Sequence, residues 1–383
     1  MDAISYNAKH PSRKFSRPER IAIIGLGLIG GSIALAFKRS SPNILIHGFD
    51  TPAVLQRARR AGAIDVAAST LEDACRFATV AIIATPLEKS LQVFSQVARS
   101  IPPGGIITDV GSVKVPIVKE ASRLLPEDRF FIGGHPMAGS ERRGFENADP
   151  LLFQNAVYVL TPTPDTPRAA LKRLLNLIEQ LRARVMIMSA EEHDRIAALV
   201  SHLPQLAAVG LVNMVSGATR NMSLARQLAA GGFRDMTRIA SSPFELWGEI
   251  LSQNQSEVRR ALRAYRSILK AMEQATGCDS ARKKKLARFF RRAERTRQRI
   301  PLDMKGFLHP LSDIFLAVDD QPGAINRFTG VLAQKKINIS DILLLRVREG
   351  EQGTFKLSFA TERDAERAAE ALKAAGYAVW RNR

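Results

Sequence analysis

The sequence predicts three folded parts: a doubly wound α/β domain, an all-helical domain and a small domain of mixed strands and helices. Up to residue 188, short apolar runs alternate with helical segments, as in a parallel sheet covered by helices. From Ser189 the strand patterns stop, and helical periodicity continues to about Arg299. After Pro310 the order becomes strand, helix, strand, strand, helix, strand, which predicts a ferredoxin-like βαββαβ domain.

The α/β domain begins with a glycine-rich turn between an apolar run at 21–24 and a helical segment. A second apolar run ends at Asp50, whose carboxylate can accept hydrogen bonds from ribose hydroxyls. An ordinary tight turn would need no such acid, and strand, turn, helix and acid all occur in the expected order. We therefore predict a Rossmann-like site for NAD, which Asp50 favours over NADP by repelling the 2′-phosphate. Its expected residues are Gly25, Gly27, Leu28, Ile29, Gly30 and Asp50.

Further elements follow at regular intervals. In the α/β domain we predict strands at 80–84, 105–110, 130–133, 157–160 and 184–188, and helices at 51–61, 87–98, 113–125 and 168–181. In the last domain we predict strands at 313–318, 339–346, 354–359 and 378–381, and helices at 324–335 and 362–375. Ligands of doubly wound sheets bind beyond the carboxyl ends of the strands. Candidate side chains should therefore lie in the loops after Ala84, Val110 and Gly134.

The predicted domain boundaries follow these changes of pattern. We expect a disordered basic tail over 1–20, the NAD-binding domain over 21–188, a helical substrate and dimerisation domain over 189–300, a linker over 301–310 and the last domain over 311–383. The apolar segment 196–218 is long enough to cross a membrane, but it contains His202, Pro204 and Gln205. Burial in a helix bundle or against a partner chain explains it better.

The formal net charge of +19 suggests an anionic partner: nucleic acid, a membrane surface or a carboxylate-rich substrate. The densely basic segment 282–299 has only Phe289 and Phe290 as interleaved aromatic residues, which favours a solvated helix face over a nucleic-acid platform. Cys75 and Cys278 form no metal or disulfide pattern, and the basic segment 1–20 has no apolar stretch of the kind expected of a secretory signal. We expect a cytoplasmic protein without a metal, nucleic-acid or membrane partner.

Four polar stretches carry the candidate chemistry: DVGSVK at 109–114, GGHPMAGSE at 133–141, HDR at 193–195 with SHLP at 201–204, and GGFRDMTRIA at 231–240. His135 is a candidate general base, since it follows a parallel strand; the alternative is a hydrogen bond that only braces its loop. His202 would by default be a core histidine, and Ser112 a helix cap. Arg238 would by default pair with Asp235. The absence of a G-x-S-x-G sequence argues against nucleophilic hydrolysis.

Together with GLGLIGGS at 25–32, these motifs resemble the prephenate dehydrogenase family over almost the whole chain. The segment from His309 resembles an ACT domain through DDQPGAI at 319–325 and Asn338-Ile339, an arrangement found in some bacterial members. The resemblance implies NAD-dependent oxidative decarboxylation of prephenate to 4-hydroxyphenylpyruvate in L-tyrosine biosynthesis, with feedback regulation through the ACT domain. It implies that His135 and Ser112 are catalytic and that substrate is bound by His202, Arg238, Ser140, Glu141 and Asp194.

The apolar helical segment and the open sheet edge of the last domain predict a homodimer. The turn at 319–323 leads into a helix start that can receive a carboxylate, so we expect Asp319, Gly323 and Asn338 to bind a regulatory ligand. L-tyrosine is our hypothesis for this ligand, and a domain that only aids dimerisation is the alternative.

Two departures from the family pattern leave the substrate open. Residues 241–244 read SSPF where many members have Asp-Pro, and Gln205 stands where many have histidine. Arogenate or cyclohexadienyl dehydrogenase is therefore an alternative. A β-hydroxyacid dehydrogenase is the next alternative. That family is typified by a G-x-x-x-K pattern in the region where this chain has Ser201-His202 instead. From another class, the charge permits a nucleic-acid-binding regulator with an amino-acid sensor domain.

Overall fold

A computed structural model describes residues 4–6, 19–139, 142–218, 222–298, 311–319, 321–346 and 353–381. The chain divides into two compact units, Met1–Leu286 and Ala287–Arg383. The first unit contains the α/β part and the helical part as far as Leu286, which lies within the last helix of that part. The predicted linker at 301–310 lies outside the described residues.

The first unit is built on a six-stranded parallel sheet with the order β4-β3-β2-β5-β6-β7. Its strands are β2 (Arg20–Ile24), β3 (Leu45–Phe49), β4 (Val66–Ala67), β5 (Val80–Ile83), β6 (Ile106–Asp109) and β7 (Phe130–Phe131). Its helices are α1 (Leu28–Ser40), α2 (Pro52–Arg60), α3 (Leu71–Cys75), α4 (Leu87–Ser100) and α5 (Val115–Leu124). Strand order reverses between β2 and β5, which is where such sheets open a ligand crevice. The Rossmann-like prediction is confirmed.

Both faces of this sheet are buried. Along β2, Ile21 and Ile23 enter one hydrophobic cluster, while Ala22 and Ile24 enter a second on the opposite face. Successive strand residues point to opposite faces, so an all-apolar strand requires cover on both. Helices on both faces supply that cover and hold the strand ends rigidly.

A second sheet has the order β1-β10-β9-β8, from β1 (Ile4–Tyr6), β8 (Gly133–Pro136), β9 (Val157–Thr161) and β10 (Arg184–Ile187), with α6 (Arg168–Gln180) between β9 and β10. Part of the predicted disordered tail is therefore ordered: β1 pairs antiparallel with β10 along an otherwise open sheet edge. His135 lies in β8, not in the loop that the sequence predicts.

Glycines allow β8 to leave the main sheet. A Cβ on Gly134 would lie 2.5 Å from the carbonyl oxygen of Asp109, and a Cβ on Gly133 would lie 2.3 Å from Oγ1 of Thr161. Only residues without a side chain let β8 cross so close to the end of β6. This crossing carries His135 to the carboxyl-terminal rim of the main sheet.

The helical part comprises α7 (Ala190–Ala197), α8 (Leu203–Ala218), α9 (Met222–Leu228), α10 (Gly231–Thr237), α11 (Phe244–Gln253), α12 (Gln255–Ala275) and α13 (Ser280–Gln298). A π-helical segment, Ala198–His202, joins α7 to α8. The continuous helix Ala190–Ala218 is long and apolar enough to cross a membrane, and 28% of its most apolar stretch is buried in this chain. All residues of α13 are exposed or half-buried, as a solvated helix would be.

The second unit contains a fully antiparallel sheet with the order β12-β13-β11-β14. Its elements are β11 (Ser312–Val318), α14 (Ala324–Gln334), β12 (Asp341–Arg346), β13 (Gly353–Phe359), α15 (Glu362–Ala374) and β14 (Val379–Trp380). Both helices pack their apolar residues into one core with the sheet. The ferredoxin-like prediction is confirmed, but β12 begins two residues later than expected, so Asn338 precedes this strand.

Candidate active site

A cleft of about 680 Å³ opens at the carboxyl ends of β2, β5 and β6. One wall is formed by the loops that follow these strands, and another by β8 and the residues after it. The helical part closes the third side. Among the residues that line it are Gly27, Leu28, Ile29, Ser112, His135, His202 and Glu249.

The three glycines of the turn lie in different steric surroundings, each of which favours the absence of a side chain. Gly25 adopts φ of +92°, and a Cβ there would lie 2.6 Å from the carbonyl oxygen of Ala84. A Cβ on Gly30 would lie 2.0 Å from the carbonyl oxygen of Gly25, so α1 packs against the turn only with glycine there. Apart from atoms of Gly27, its two chain neighbours and the adjoining helix backbone, no atom of the described residues lies within 4 Å of a Cβ placed on Gly27. The space beside Gly27 is therefore open to a ligand that approaches the backbone.

Asp50 braces this turn from the end of β3. Its Oδ2 accepts a hydrogen bond from the backbone N–H of Leu26 at 2.7 Å, and its Oδ1 accepts from Thr51 at 2.6 Å. The side chain is half-buried, so the carboxylate keeps access to solvent. A carboxylate has about four acceptor sites, which leaves capacity for ribose hydroxyls.

His135 lines the cleft from β8. Burial is the main reason why the pKa of His135 lies well below its usual range. His193, Lys114 and His202 lower this pKa further, because a positive charge on a nearby group disfavours a charged imidazole. His135 is therefore neutral at physiological pH and able to accept a proton.

Asp194 lies behind the cleft wall and caps a helix of the α/β part. Its Oδ1 accepts a hydrogen bond from the backbone N–H of Lys114 at 2.7 Å, and its Oδ2 accepts from Val115 at 2.8 Å. The same Oδ1 lies 2.7 Å from Nδ1 of His193. These bonds occupy the buried carboxylate, so Asp194 supports the site from within and is not placed as the predicted substrate contact. Asp194, and not Ser112, caps the start of α5.

His202 lies in the cleft wall at the end of the π-helical segment. Burial lowers the pKa of His202 to about 4, against the opposing effect of Asp194. Its Nδ1 lies 3.3 Å from the side-chain Nδ2 of Asn254, which also donates to the carbonyl oxygen of Asp194 at 2.8 Å. Because the amide nitrogen can only donate, Nδ1 accepts and Nε2 carries the proton. His202 is thus a neutral hydrogen-bond donor, not a cation.

The structure brings together some of the remaining predicted residues and separates others. Ser112 lines the cleft from the loop between β6 and α5. Arg238 is exposed, does not line the cleft, and forms no ion pair with Asp235 in the described part of the chain. Ser140 and Glu141 lie outside the described residues. Within those described, no group of three or more His, Cys, Asp or Glu side chains is placed to hold a metal ion.

Comparisons with known proteins agree with this arrangement. The family described as "Prephenate dehydrogenase, nucleotide-binding domain" matches residues 33–187, and its "dimerization domain" matches residues 189–292. A prephenate dehydrogenase of Bacillus subtilis is 37% identical over 359 residues, which cover 93% of this chain and 96% of that protein. The chain belongs to the prephenate dehydrogenase family. The ACT domain family matches residues 312–376.

Solved structures of this family share the fold of the first unit. A prephenate dehydrogenase from A. aeolicus, in complex with hydroxyphenyl propionate and NAD+, is 28% identical with a TM-score of 0.66, over 75% of this chain and 100% of that one. The arogenate dehydrogenase of Synechocystis is 30% identical with a TM-score of 0.65, over 73% of this chain and 99% of that one. Two relatives with similar sequence identity to this chain are thus named for two different substrates, arogenate and prephenate.

In the ACT domain, the three predicted ligand residues lie at the two ends of α14. Asp319 is exposed just after β11, and Gly323 adopts φ of +80° as the residue before the helix. A left-handed conformation there explains why the turn uses glycine. Asn338 is exposed beyond the other end of the helix, before β12. This geometry applies to one copy of the domain.

Two supporting groups of this dehydrogenase-family site received no role from the sequence. The buried ammonium of Lys114 contacts the carboxylate of Asp109 and donates to the carbonyl oxygen of Gly134 at 2.6 Å. Burial lowers the pKa of Lys114, and Asp109 opposes this shift. Asp109 also accepts from the backbone N–H groups of Gly111 and Gly134. Lys114 and Asp109 therefore hold the loop of Ser112 against the strand of His135. The only sequence signal for this role is that both residues belong to the DVGSVK motif.

The second group is Glu249, from α11. Its carboxylate accepts from the backbone N–H groups of Leu87 at 3.0 Å and Glu88 at 2.9 Å, at the start of α4. Glu249 and Asp194 thus each cap an α/β helix from the helical part. Such long-range pairs, 162 and 80 residues apart, have no local sequence signal.

Proposed function

We propose that this protein is an NAD-dependent prephenate dehydrogenase, which converts prephenate to 4-hydroxyphenylpyruvate and CO2 for L-tyrosine biosynthesis. The neutral His135 at the rim of the dinucleotide turn is the observation that carries the proposal. A dehydrogenase of this kind needs a positioned base beside the nicotinamide and a second polar group for the substrate. His135 and His202 supply these two groups in one cleft.

The glycine turn fits NAD. The open space beside Gly27 admits a pyrophosphate, and the start of α1 has no side-chain cap, so its backbone N–H groups can face phosphate oxygens. We infer that Gly25, Gly27, Leu28, Ile29 and Gly30 hold the pyrophosphate and that Asp50 holds the adenosine ribose. NAD, when bound, accepts a hydride from carbon 4 of the substrate ring.

His135 acts on the ring 4-hydroxyl. As carbon 4 is oxidised, the imidazole draws the hydroxyl proton and later returns it to the phenol oxygen of the product. The bond between the ring and its carboxylate breaks, CO2 leaves, and the electron pair of that bond makes the ring aromatic. Aromatisation drives the reaction, so the chain needs only to position the substrate and hold one proton. Ser112 lies on the adjacent loop and would orient the hydroxyl.

The substrate's other groups would meet the helical side of the cleft. The Nε2–H of His202 can donate to a carboxylate or carbonyl oxygen without adding charge. By family resemblance, Arg238, Ser140 and Glu141 would also take part, and a planar guanidinium suits a carboxylate. Because Arg238 is exposed in the single chain, its contribution requires a partner chain or a movement of its turn.

The direct test is NADH formation by the full chain with prephenate. We expect one NADH and one 4-hydroxyphenylpyruvate for each prephenate consumed, and His135→Asn should abolish nearly all of this turnover. Activity with neither prephenate nor arogenate would contradict the proposal.

Arogenate is the second candidate substrate. Gln205 lies one helical turn beyond His202, and its buried Oε1 has no hydrogen-bond partner in the described part of the chain. It is not among the residues that line the cleft, so a contact with substrate requires its side chain to move. Arogenate carries an amino group where prephenate has a keto group, and an amide oxygen can accept from an amino group. Comparing kcat/KM for the two substrates, in the wild type and in Gln205→His, decides between them. A lower preference for arogenate in the variant would assign this role to Gln205.

We also infer a homodimer formed through the helical part. The helix Ala190–Ala218 is strongly apolar but mostly unburied in one chain, with Leu199 50% and Val200 62% exposed. A soluble enzyme would cover such a surface with a second copy. Light scattering on the purified chain should give twice the 42.1 kDa mass; a monomer at micromolar concentration would contradict this.

The unpaired Cys75 and Cys278 support a reducing, cytoplasmic location.

Regulation is proposed for the ACT domain. The helix start after Gly323 can receive an amino acid carboxylate, and β12 is an edge strand with Ile342, Leu343 and Leu344 each over 40% exposed. We infer that L-tyrosine binds between two such domains and lowers activity. Truncation after about Pro310 should leave an active enzyme without this inhibition, and Asn338→Ala should weaken it. Inhibition that persists unchanged after truncation would place tyrosine in the active site.

A further inference from the structure

Behind His135, three side chains form a continuous hydrogen-bonded chain. Nδ1 of His135 lies 2.8 Å from Nε2 of His193, and Nδ1 of His193 lies 2.7 Å from Oδ1 of Asp194. His193 and Asp194 are each only 2% exposed. The two imidazole rings meet edge to face, with centroids 5.0 Å apart at 74°. His193 itself does not line the cleft.

The direction of each hydrogen bond follows from the Asp194 end. The Oδ1 of Asp194 accepts from the backbone N–H of Lys114, and Oδ2 accepts from Val115, so the carboxylate is an acceptor in place. Nδ1 of His193 must therefore donate to Oδ1. With His193 as a neutral imidazole, which the proposal takes as its starting point, its other nitrogen, Nε2, is the acceptor.

The same logic fixes His135. Since Nε2 of His193 accepts, Nδ1 of His135 must carry a proton and donate it. Its Nε2 is then left as the lone pair that can take a proton. The opposite tautomer of His135 would set two lone pairs against each other at 2.8 Å.

We propose that His193, held by Asp194, is a positioning residue that keeps His135 in the Nδ1–H tautomer and so presents Nε2 as the base. When His135 takes a proton at Nε2, its Nδ1–H bond to His193 stays in place. The site therefore needs no rearrangement as charge develops, which is the condition for effective electrostatic stabilisation. The inference rests on the proposed function only in taking His135 as the base.

Three variants of the full chain test the role. His193→Leu removes the acceptor, whereas His193→Gln places an amide oxygen near the position of Nε2. His47→Asn is the control, since His47 is a half-buried histidine that lies in β3, outside the cleft lining. Thermal unfolding of each variant identifies any that fail to fold.

We expect His193→Leu to lower kcat by about tenfold to a hundredfold with the KM values for substrate and NAD nearly unchanged. His193→Gln should recover most of the lost turnover, and His47→Asn should keep wild-type kinetics. A purely structural role would instead make Gln and Leu equivalent or raise both KM values. Wild-type kcat in His193→Leu would overturn the proposal.

The tautomer is measured separately by ¹⁵N NMR of the histidine rings, with the His135 signals assigned by their loss in His135→Asn. The wild type should show a protonated Nδ1 and an unprotonated Nε2 at His135, and His193→Leu should lose this preference. An Nε2–H tautomer in the wild type would overturn the proposal. Because this readout needs no turnover, it stands even if neither prephenate nor arogenate is oxidised, an outcome that would refute only the proposed function.

Discussion

The two ends of the cleft are built in different ways. At the nucleotide end, the turn from Gly25 to Gly30 and the acid Asp50 all lie within 26 residues, and the site is formed mainly by backbone groups. At the substrate end, buried side chains of the helical part reach across to the α/β part. The difference predicts that changes at the nucleotide end alter cofactor choice, whereas changes at the substrate end lower turnover and stability.

Two carboxylates show the contrast most clearly. Asp50 and Asp194 each accept two backbone N–H groups. Asp50 is half-buried, so water can replace it at those groups. Asp194 is 2% exposed, and its loss would leave its donors without partners. Similar hydrogen bonds to a carboxylate therefore contribute differently to the free energy of unfolding at the two ends of the cleft.

The largest effect is expected at the substrate end. His135→Asn removes the base and should lower kcat by about a hundredfold or more, with a small change in the KM for the substrate. Steady-state kinetics with prephenate and NAD measure both constants. If the variant keeps its turnover and only binds substrate more weakly, His135 is a binding residue and the contrast between the two ends fails.

The next effect separates the two carboxylates. Asp194→Ala leaves buried N–H groups of α5 and His193 unsatisfied and should lower the free energy of unfolding by about 3 kcal/mol. Asp50→Ala is the matched control, and about 1 kcal/mol or less is expected there. Urea unfolding of both variants measures the difference. Equal losses would show that burial does not distinguish the two ends.

The smallest effect is expected at the nucleotide end. Asp50→Ser removes a negative charge where NADP carries its 2′-phosphate, so the preference for NAD over NADP should narrow by about tenfold, or ~1.4 kcal/mol. The ratio of kcat/KM for the two cofactors measures it, and stability should hardly change. A wild-type enzyme that used NADP as well as NAD would contradict the role assigned to Asp50.

The same difference explains what the sequence could predict. Glycine positions, strand runs and Asp50 lie close together in the chain, so their spacing predicts the turn and the Rossmann-like order. The bonds of Asp194 to Lys114 and of Glu249 to Leu87 join residues far apart in sequence, and no local pattern encodes them. Asp194 and Lys114 were visible within motifs, whereas Glu249 and Leu87 lay outside every motif, and in neither pair did the sequence show which residues are partners.

Two fold predictions differed for a similar reason. The strand Ile4–Tyr6 sits in a basic, Pro/Ser-rich stretch, and only the open edge of β10 gives it a partner. The strand β8 leaves the main sheet because Gly133 and Gly134 tolerate a close crossing, which a strand pattern alone does not reveal. That second difference matters for function, since it moves His135 from a loop to a strand.

The central claim is that His135 enters the reaction as a neutral base. Because its pKa is lowered, the active neutral form should persist as the pH falls below 6.5 and be lost only at more acidic pH. The pH dependence of kcat/KM for prephenate at saturating NAD reports this protonation in the enzyme before prephenate binds. We predict a single acidic step with its midpoint below 6.5, absent from the residual activity of His135→Asn. A midpoint at or above 6.5, or the same step in that variant, would contradict the account.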